Sequence, residues 1–210
     1  MWKWTLNWGE IRDDIVVGSC PRSADDIDTL AAETGVSALL SIQHNECRAA
    51  LDINYRAHKD HGVARGLTLV NAPMRDFDTD SQRHHLADAV HGLHVLLSAG
   101  HRVYVHCTAG VNRAPLTVLG YLDFVESMSP DEAMALIRAG RPGAEPDWEA
   151  FHGARADLVE RHRGAILMRA WELYQQDPDT AADENWFAAE REIIRDAFSF
   201  WRQLPGNRAA

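Results

Sequence analysis

Residues 103–125 read VYVHCTAGVNRAPLTVLGYLDFV and are the stretch that decides the fold. Val103, Tyr104 and Val105 form a short β-branched and aromatic run, which is typical of a buried strand. Pro115 suits the first turn of a helix, where its missing N–H removes no hydrogen bond. Apolar residues then recur at helical spacing, namely Val118, Leu119, Leu122 and Val125. The stretch therefore predicts a strand, a loop and a helix.

The predicted loop carries Cys107 and, after five intervening residues, Arg113. Loop N–H groups and a helix N-terminus converge on one point, which suits an oxyanion, and an arginine adds a two-point contact. The same positive environment favours the thiolate form of Cys107. We therefore predict that the nucleophile lies within a phosphate-binding loop. The other loop residues are His106, Thr108, Ala109, Gly110, Val111 and Asn112.

This loop resembles the signature of the dual-specificity phosphatases, which are cysteine-dependent enzymes. Two further segments extend the resemblance, IRDDIVVGS at residues 11–19 and RDFD at residues 75–78. Together with CTAGVNRAP they are most similar to the glucan-phosphatase branch, meaning laforin and the plant starch phosphatases, over roughly residues 8–161. Asn112 departs from that branch, whose signature has glycine there. Ala114 replaces the hydroxyl residue common after the arginine, as it does in the plant enzymes.

The resemblance implies hydrolysis of phosphomonoesters through a phosphocysteine intermediate, without a metal or other cofactor. Cys107 would attack phosphorus, Arg113 would hold the phosphate oxygens, and Asp76 would protonate the leaving group. Asp78 is the alternative acid, since it lies two residues away in the same segment. His106 is expected to orient the loop and to tune the thiol.

The substrate implied by the branch is a phosphorylated glucan. Phosphotyrosine, phosphoserine or phosphothreonine in proteins, and inositol phosphates, are the alternatives. A catalytically inactive phosphate-binding module is disfavoured because the cysteine, the arginine and an acid are all present. A sulfurtransferase-like enzyme, which also uses a cysteine in an anion-binding loop, is disfavoured by the separate acid segment.

Three tryptophans near the N-terminus bear on the substrate: Trp2, Trp4 and Trp8. An indole presents a large rigid face that can stack on a sugar ring. The alternative is that they belong to an N-terminal strand and dock on the domain.

The remaining sequence up to residue 163 alternates strands and helices. Residues 11–18 indicate a hairpin, with a turn at Asp13-Asp14. Further strands are predicted over 36–42 and 67–70, and helices over 23–35, 46–61, 80–99 and 129–140. This alternation predicts an α/β fold with a mostly parallel central sheet flanked by helices.

Residues 164–210 are predicted to be a C-terminal helical extension of the catalytic domain, which we place at residues 1–163. Helical patterns cover 165–174 and 186–201, with a polar stretch between them. The extension lacks a recognisable catalytic residue set. We expect it to cap the domain or to dock on a partner, and a homodimer through these helices is one such arrangement.

Composition and charge argue against several kinds of function and site. The formal net charge of −10, from 21 basic and 31 acidic residues, disfavours a nucleic-acid partner, because such binding depends on phosphate neutralisation. The sequence shows no apolar run that predicts a membrane span. Its three cysteines are too widely spaced to indicate a disulfide framework or a zinc site. A catalytic thiol needs a reducing compartment, so we expect the cytoplasm.

Overall fold

A five-stranded sheet lies at the centre of the structure, a computed structural model that describes residues 4–199. The strands are β1 (Trp8–Arg12), β2 (Ile15–Gly18), β3 (Ala38–Gln43), β4 (Thr68–Met74) and β5 (Val103–His106). Their order in the sheet is β1-β2-β5-β3-β4. β1 runs antiparallel to β2, and the other neighbouring strands pair in parallel. The predicted mostly parallel sheet is confirmed.

Helices cover both faces of this sheet. They are α1 (Ala24–Thr34), α2 (Asn45–Ala50), α3 (Tyr55–Ala64), α4 (Thr79–Ser98), α5 (Arg113–Phe124), α6 (Pro130–Gly140), α7 (Trp148–Gln176) and α8 (Ala182–Ser199). Successive strand residues point to opposite faces. Val103 and Val105 therefore enter the larger core beneath α4 to α8, whereas Tyr104 enters the smaller core beneath α1. β5 is thus buried on both faces, as its apolar run predicts.

Local hydrogen bonds set the ends of α1, which lie within one residue of the helix predicted over 23–35. The Ser23 hydroxyl accepts from the Asp26 N–H, and the Asp26 carboxylate accepts from the Ser23 N–H. Gly35 ends the helix with a φ of +67°, a conformation that glycine adopts without steric cost. These interactions span few residues, which is why sequence alone predicts them.

The predicted helix over 46–61 is wrong in one respect, because the structure divides it into α2 and α3. Asp52, between them, has a φ of +55°, which interrupts the helix. The Asn54 side chain then accepts from the Ala57 N–H and begins α3.

β4 is longer than the sequence predicts. It continues past Val70 to Met74, and Met74 pairs with Gln43 of β3. Pro73 within it lacks an N–H, but β4 is an edge strand and tolerates this loss. The extension carries the chain to the edge of the phosphate-binding loop.

The two C-terminal helices pack on the catalytic part of the chain. α7 is one continuous helix, so the predicted division between residues 163 and 164 falls inside it, and that division stays a prediction. Phe198 of α8 lies in the larger core, with its ring centroid 6.3 Å from that of Phe124. Phe124 in turn stacks on Phe151 at 5.6 Å. Among the described residues, none of the helices is both long and apolar enough to span a membrane.

Replacing Phe198 by alanine tests the anchoring of α8. We expect Phe198→Ala to lower the free energy of unfolding by about 3–5 kcal/mol, because a buried aromatic ring leaves a cavity. Chemical denaturation measures this. Phe187→Ala, which removes a half-exposed ring of the same helix, is the control and should change stability by less than about 0.5 kcal/mol. Equal effects of both changes would contradict the anchoring.

Candidate active site

The loop between β5 and α5 is held in a tight backbone conformation. Gly110 has a φ of +69°, and a Cβ placed on it would lie 2.4 Å from the Gly18 carbonyl carbon. The Cys20 N–H donates to the Thr108 carbonyl oxygen at 3.1 Å, and the Glu145 N–H donates to that of Val111 at 2.7 Å. Segments from both halves of the domain therefore fix the shape of the loop.

Arg141 reinforces this shape from outside the loop. Its Nε donates to the Gly110 carbonyl oxygen at 2.9 Å, and its Nη2 donates to that of Ala109 at 2.8 Å. A third bond, 2.7 Å long, joins Nη2 to Oδ1 of Asn7. Because N–H and C=O point in opposite directions across a peptide plane, fixing these two carbonyls orients the N–H groups of Gly110 and Val111. The sequence analysis did not identify Arg141, because its position just after a helix is the only local signal and does not indicate a contact with the loop.

Cys107 follows β5 directly and is buried. Its neighbour His106 is also buried, and this burial lowers the pKa of His106 to about 3. The neutral ring places Nδ1 3.3 Å from the Cys107 carbonyl oxygen, which can only accept, so the Nδ1–H donates. His106 therefore hydrogen-bonds to the backbone of Cys107, and its expected effect on the thiol stays a prediction.

Arg113, at the start of α5, is only 1% exposed. Its Nη1 donates to the Met74 carbonyl oxygen at 3.1 Å and contacts Cys47 Sγ at 3.3 Å. Its Nη2 donates to Thr108 Oγ1 at 3.1 Å and lies 2.7 Å from Oδ2 of Asp76. Three separate segments thus converge on one guanidinium group beside the loop.

The two candidate acids occupy different positions. Asp76 pairs with Arg113, whereas Asp78 caps α4 by accepting from the Ser81 N–H at 2.8 Å. The structure therefore brings Asp76, not Asp78, to the loop. The helix predicted over 80–99 begins one residue earlier, at Thr79, with Asp78 as its cap. The catalytic role of Asp76 stays a prediction.

Of the three tryptophans predicted to contact a glucan, the two that the structure describes pack against the domain. Trp2 lies outside the described residues. Trp4 Nε1 donates to the Cys20 carbonyl oxygen at 3.1 Å, and Trp8 packs on the smaller core from β1. Phe77, which sequence reasoning missed, is 97% exposed and has a φ of +54°. The sequence signal that could have identified Phe77 is its position between Asp76 and Asp78 in the RDFD segment.

Comparison with known proteins fits this geometry. Residues 30–152 match the family "Dual specificity phosphatase, catalytic domain". The chain belongs to this family. It therefore carries a cysteine-based phosphatase domain, as the resemblance predicts.

Among curated relatives of the phosphatase domain, "Phosphoglucan phosphatase DSP4, amyloplastic" of Castanea sativa is 29% identical over 168 residues, which are 79% of this chain and 44% of that protein. Laforin of Mus musculus is 30% identical over 170 residues, 74% of this chain and 50% of laforin. "Dual specificity protein phosphatase 22" of Mus musculus is 28% identical over 131 residues, 59% of this chain and 69% of that protein. The chain spans about half the length of the first two relatives.

Solved structures agree on the fold of the phosphatase domain. That of PTPMT1 superposes with a TM-score of 0.56 at 21% identity and covers 70% of this chain and 90% of that one. Tk-PTP in its active form gives a TM-score of 0.56 at 19% identity, with 71% and 94% covered.

Replacing Arg141 tests whether it positions the loop. Arg141→Met keeps most of the side-chain volume but removes the bonds to both carbonyls, so we expect kcat/KM on an aryl phosphate to fall about 100-fold. Arg138→Met, which replaces an exposed arginine of α6, the helix that Arg141 follows, is the control and should have no effect. Melting temperatures measured in parallel separate loss of loop geometry from unfolding. Full activity of a folded Arg141→Met would contradict the role.

His106 predicts a pH dependence of stability. Its pKa is about 3 when folded and about 6.5 in the ordinary reference state, so below pH 6.5 the unfolded chain binds a proton that the folded chain does not. Stability is therefore lost as the pH falls, by about 2 kcal/mol at pH 5 from this group.

We expect His106→Asn to reduce the loss of stability between pH 7 and pH 5 by that amount, as measured by denaturant titration. His84→Asn, which replaces an exposed histidine, is the control and should keep the wild-type dependence. Identical slopes in all three proteins would show that His106 is not the responsible group.

Proposed function

We propose that this protein hydrolyses phosphate monoesters through a phosphocysteine intermediate. The observation that carries the proposal is the convergence of Asp76 and Thr108 on Arg113, beside Cys107. A bound phosphate competes with the Asp76 carboxylate for Arg113, because both are anions suited to a guanidinium group. The carboxyl group is then released next to the leaving oxygen.

The reaction follows from these positions. The Cys107 thiolate forms a bond to phosphorus while the bond to the leaving oxygen breaks, and the Asp76 carboxyl gives its proton to that oxygen. A water molecule then attacks the phosphocysteine and gives its proton to the Asp76 carboxylate. Phosphate leaves and the thiolate is restored. The oriented N–H groups of the loop stabilise the equatorial oxygens in both steps.

The two acidic residues give contrasting variants. Asp76→Asn should slow hydrolysis of an alkyl phosphate about 100-fold and of an aryl phosphate much less, because a good leaving group needs little protonation. Asp78→Asn should leave this ratio unchanged. Steady-state kinetics on both substrates decides between them. The assignment fails if Asp78→Asn alone shows the leaving-group dependence.

For the substrate we propose a phosphorylated glucan. Two curated relatives carry the name phosphoglucan phosphatase. Phe77 supports the same choice, since it is the most exposed large apolar side chain described and adjoins Asp76. An aromatic face beside the acid offers a stacking surface for a neutral sugar ring, which has no charge for Arg113 to bind. A phosphoprotein is the second candidate, because the chain is also similar to a dual specificity protein phosphatase.

Phosphate release from phosphorylated amylopectin, phosphopeptides and an inositol phosphate compares these substrates directly, with Cys107→Ser as the inactive control. Phe77→Ala should lower activity on amylopectin about 10-fold, the worth of one aromatic stack, and leave aryl phosphate hydrolysis unchanged. Phe187→Ala removes a half-exposed ring of α8 and should change neither. Preferred turnover of phosphopeptides would favour the protein substrate instead.

We also propose that the protein acts in the cytoplasm and without a nucleic-acid partner. All three cysteines are free thiols in the structure, and Cys107 must stay reduced for catalysis. The net charge of −10 opposes binding to a polyanion. Cell fractionation with a cytoplasmic marker tests the location, and recovery in an oxidising compartment would contradict it.

A further inference from the structure

One side of the C-terminal half of α7 is apolar and exposed. Leu167, Met168, Trp171 and Tyr174 are between 41% and 69% exposed. Trp171 is three or four residues from each of the other three, which places all four on one side of the helix. Gly164 begins the row, and apart from its chain neighbours and the nearby backbone of α7, no described atom lies within 4 Å of the position its Cβ would occupy. We call these five residues the α7 face.

Helix α8 does not cover the α7 face, because it packs on the other side of α7. Ile166 is fully buried there, and Leu173 is half-buried. The Nε of Arg169 lies 2.9 Å from Oε2 of Glu192 of α8, which ties the two helices together on that side. A row of large apolar side chains that the described part of the chain leaves exposed is the pattern of a surface that another helix covers.

We propose that the α7 face pairs with the same face of a second copy of this chain, with the two helices antiparallel. If the two-fold axis lies between Leu167 and Met168, Trp171 of each copy comes opposite Gly164 of the other. The glycine has no side chain and leaves room for the indole. The largest and smallest residues of the face are therefore complementary under this symmetry, which closes at two copies.

Charges at the two ends of the face favour the antiparallel arrangement. The N-terminal end is basic, with exposed Arg161 and Arg163. The C-terminal end is acidic, with exposed Glu172, Asp177 and Asp179. Antiparallel pairing places each basic end against an acidic end, whereas parallel pairing would place like charges together.

The ion pairs within α7 do not prevent these charged side chains from pairing with a second copy. Arg163 pairs with Glu160 at 3.3 Å, and Glu172 pairs with Arg169 at 3.0 Å, within the same helix. These side chains are more than half exposed except that of Arg169, and exposed pairs contribute little to stability. Arg161 and Glu172 can thus turn toward a second copy at low cost.

The pairing leaves the phosphate-binding loops open. α7 begins at Trp148 near the loop, and the face begins 16 residues later, about 24 Å along the helix at 1.5 Å per residue. A single helix face is smaller than the roughly 1,200 Å² of total area typical of stable interfaces. We therefore expect a weak dimer, with a Kd on the order of 10 µM.

Sedimentation velocity of the full chain between about 1 and 300 µM tests the proposal, since this range spans the expected Kd. The wild type should show a concentration-dependent dimer, and Trp171→Glu should remain monomeric. Val63→Glu places the same charge on an exposed apolar position of α3 and should dimerise like the wild type. Melting temperature and aryl phosphate hydrolysis should be unchanged in both variants.

Charge reversal tests the orientation. Arg161→Glu alone and Glu172→Arg alone should each weaken the dimer at least about 10-fold, because like charges then face each other. An equimolar mixture of the two single variants should restore it, since each copy supplies the charge that the other needs. A wild type that stays monomeric overturns the proposal, as does a Trp171→Glu variant that still dimerises. A mixture no stronger than its components excludes the antiparallel arrangement.

Discussion

The buried guanidinium of Arg113 is the group on which the rest of the site depends. A charge that is 1% exposed is costly unless it is paired and hydrogen-bonded. Its partners come from the end of β4, from the loop itself and from the segment that carries Asp76. The order of the strands in the sheet brings these segments together. The contacts that stabilise the buried Arg113 therefore also shape the anion-binding site. The Asp76 carboxylate occupies a position that suits a substrate phosphate.

The backbone of the loop is constrained as closely as this side chain. Gly110 approaches Gly18 so closely that a Cβ on Gly110 would lie 2.4 Å from the Gly18 carbonyl carbon, so position 110 has no room for a larger residue. Arg141 binds the carbonyl oxygens on the outer side. Amide dipoles that are already oriented need no reorganisation when charge develops on phosphate. The neutral His106 completes this support from beneath the nucleophile.

The C-terminal helices pack against the larger core on one side, and on the other side α7 is exposed to solvent. Phe198 extends the aromatic stack of Phe124 and Phe151, so α8 closes the larger core. The opposite side of α7 presents large apolar side chains to solvent. The same helix thus contributes to the stability of the phosphatase domain and offers a surface for association.

The sequence alone determined the strand–loop–helix with Cys107 and Arg113, the bounds of α1 to within one residue and the mostly parallel sheet. These features depend on residue spacing and on hydrogen bonds between near neighbours. Only the tertiary structure decided that Asp76 meets Arg113, because Asp78 uses its carboxylate to cap α4. It also decided the role of Arg141, 31 residues beyond Gly110 in the chain. Such contacts arise from the packing of distant segments, which no local pattern encodes.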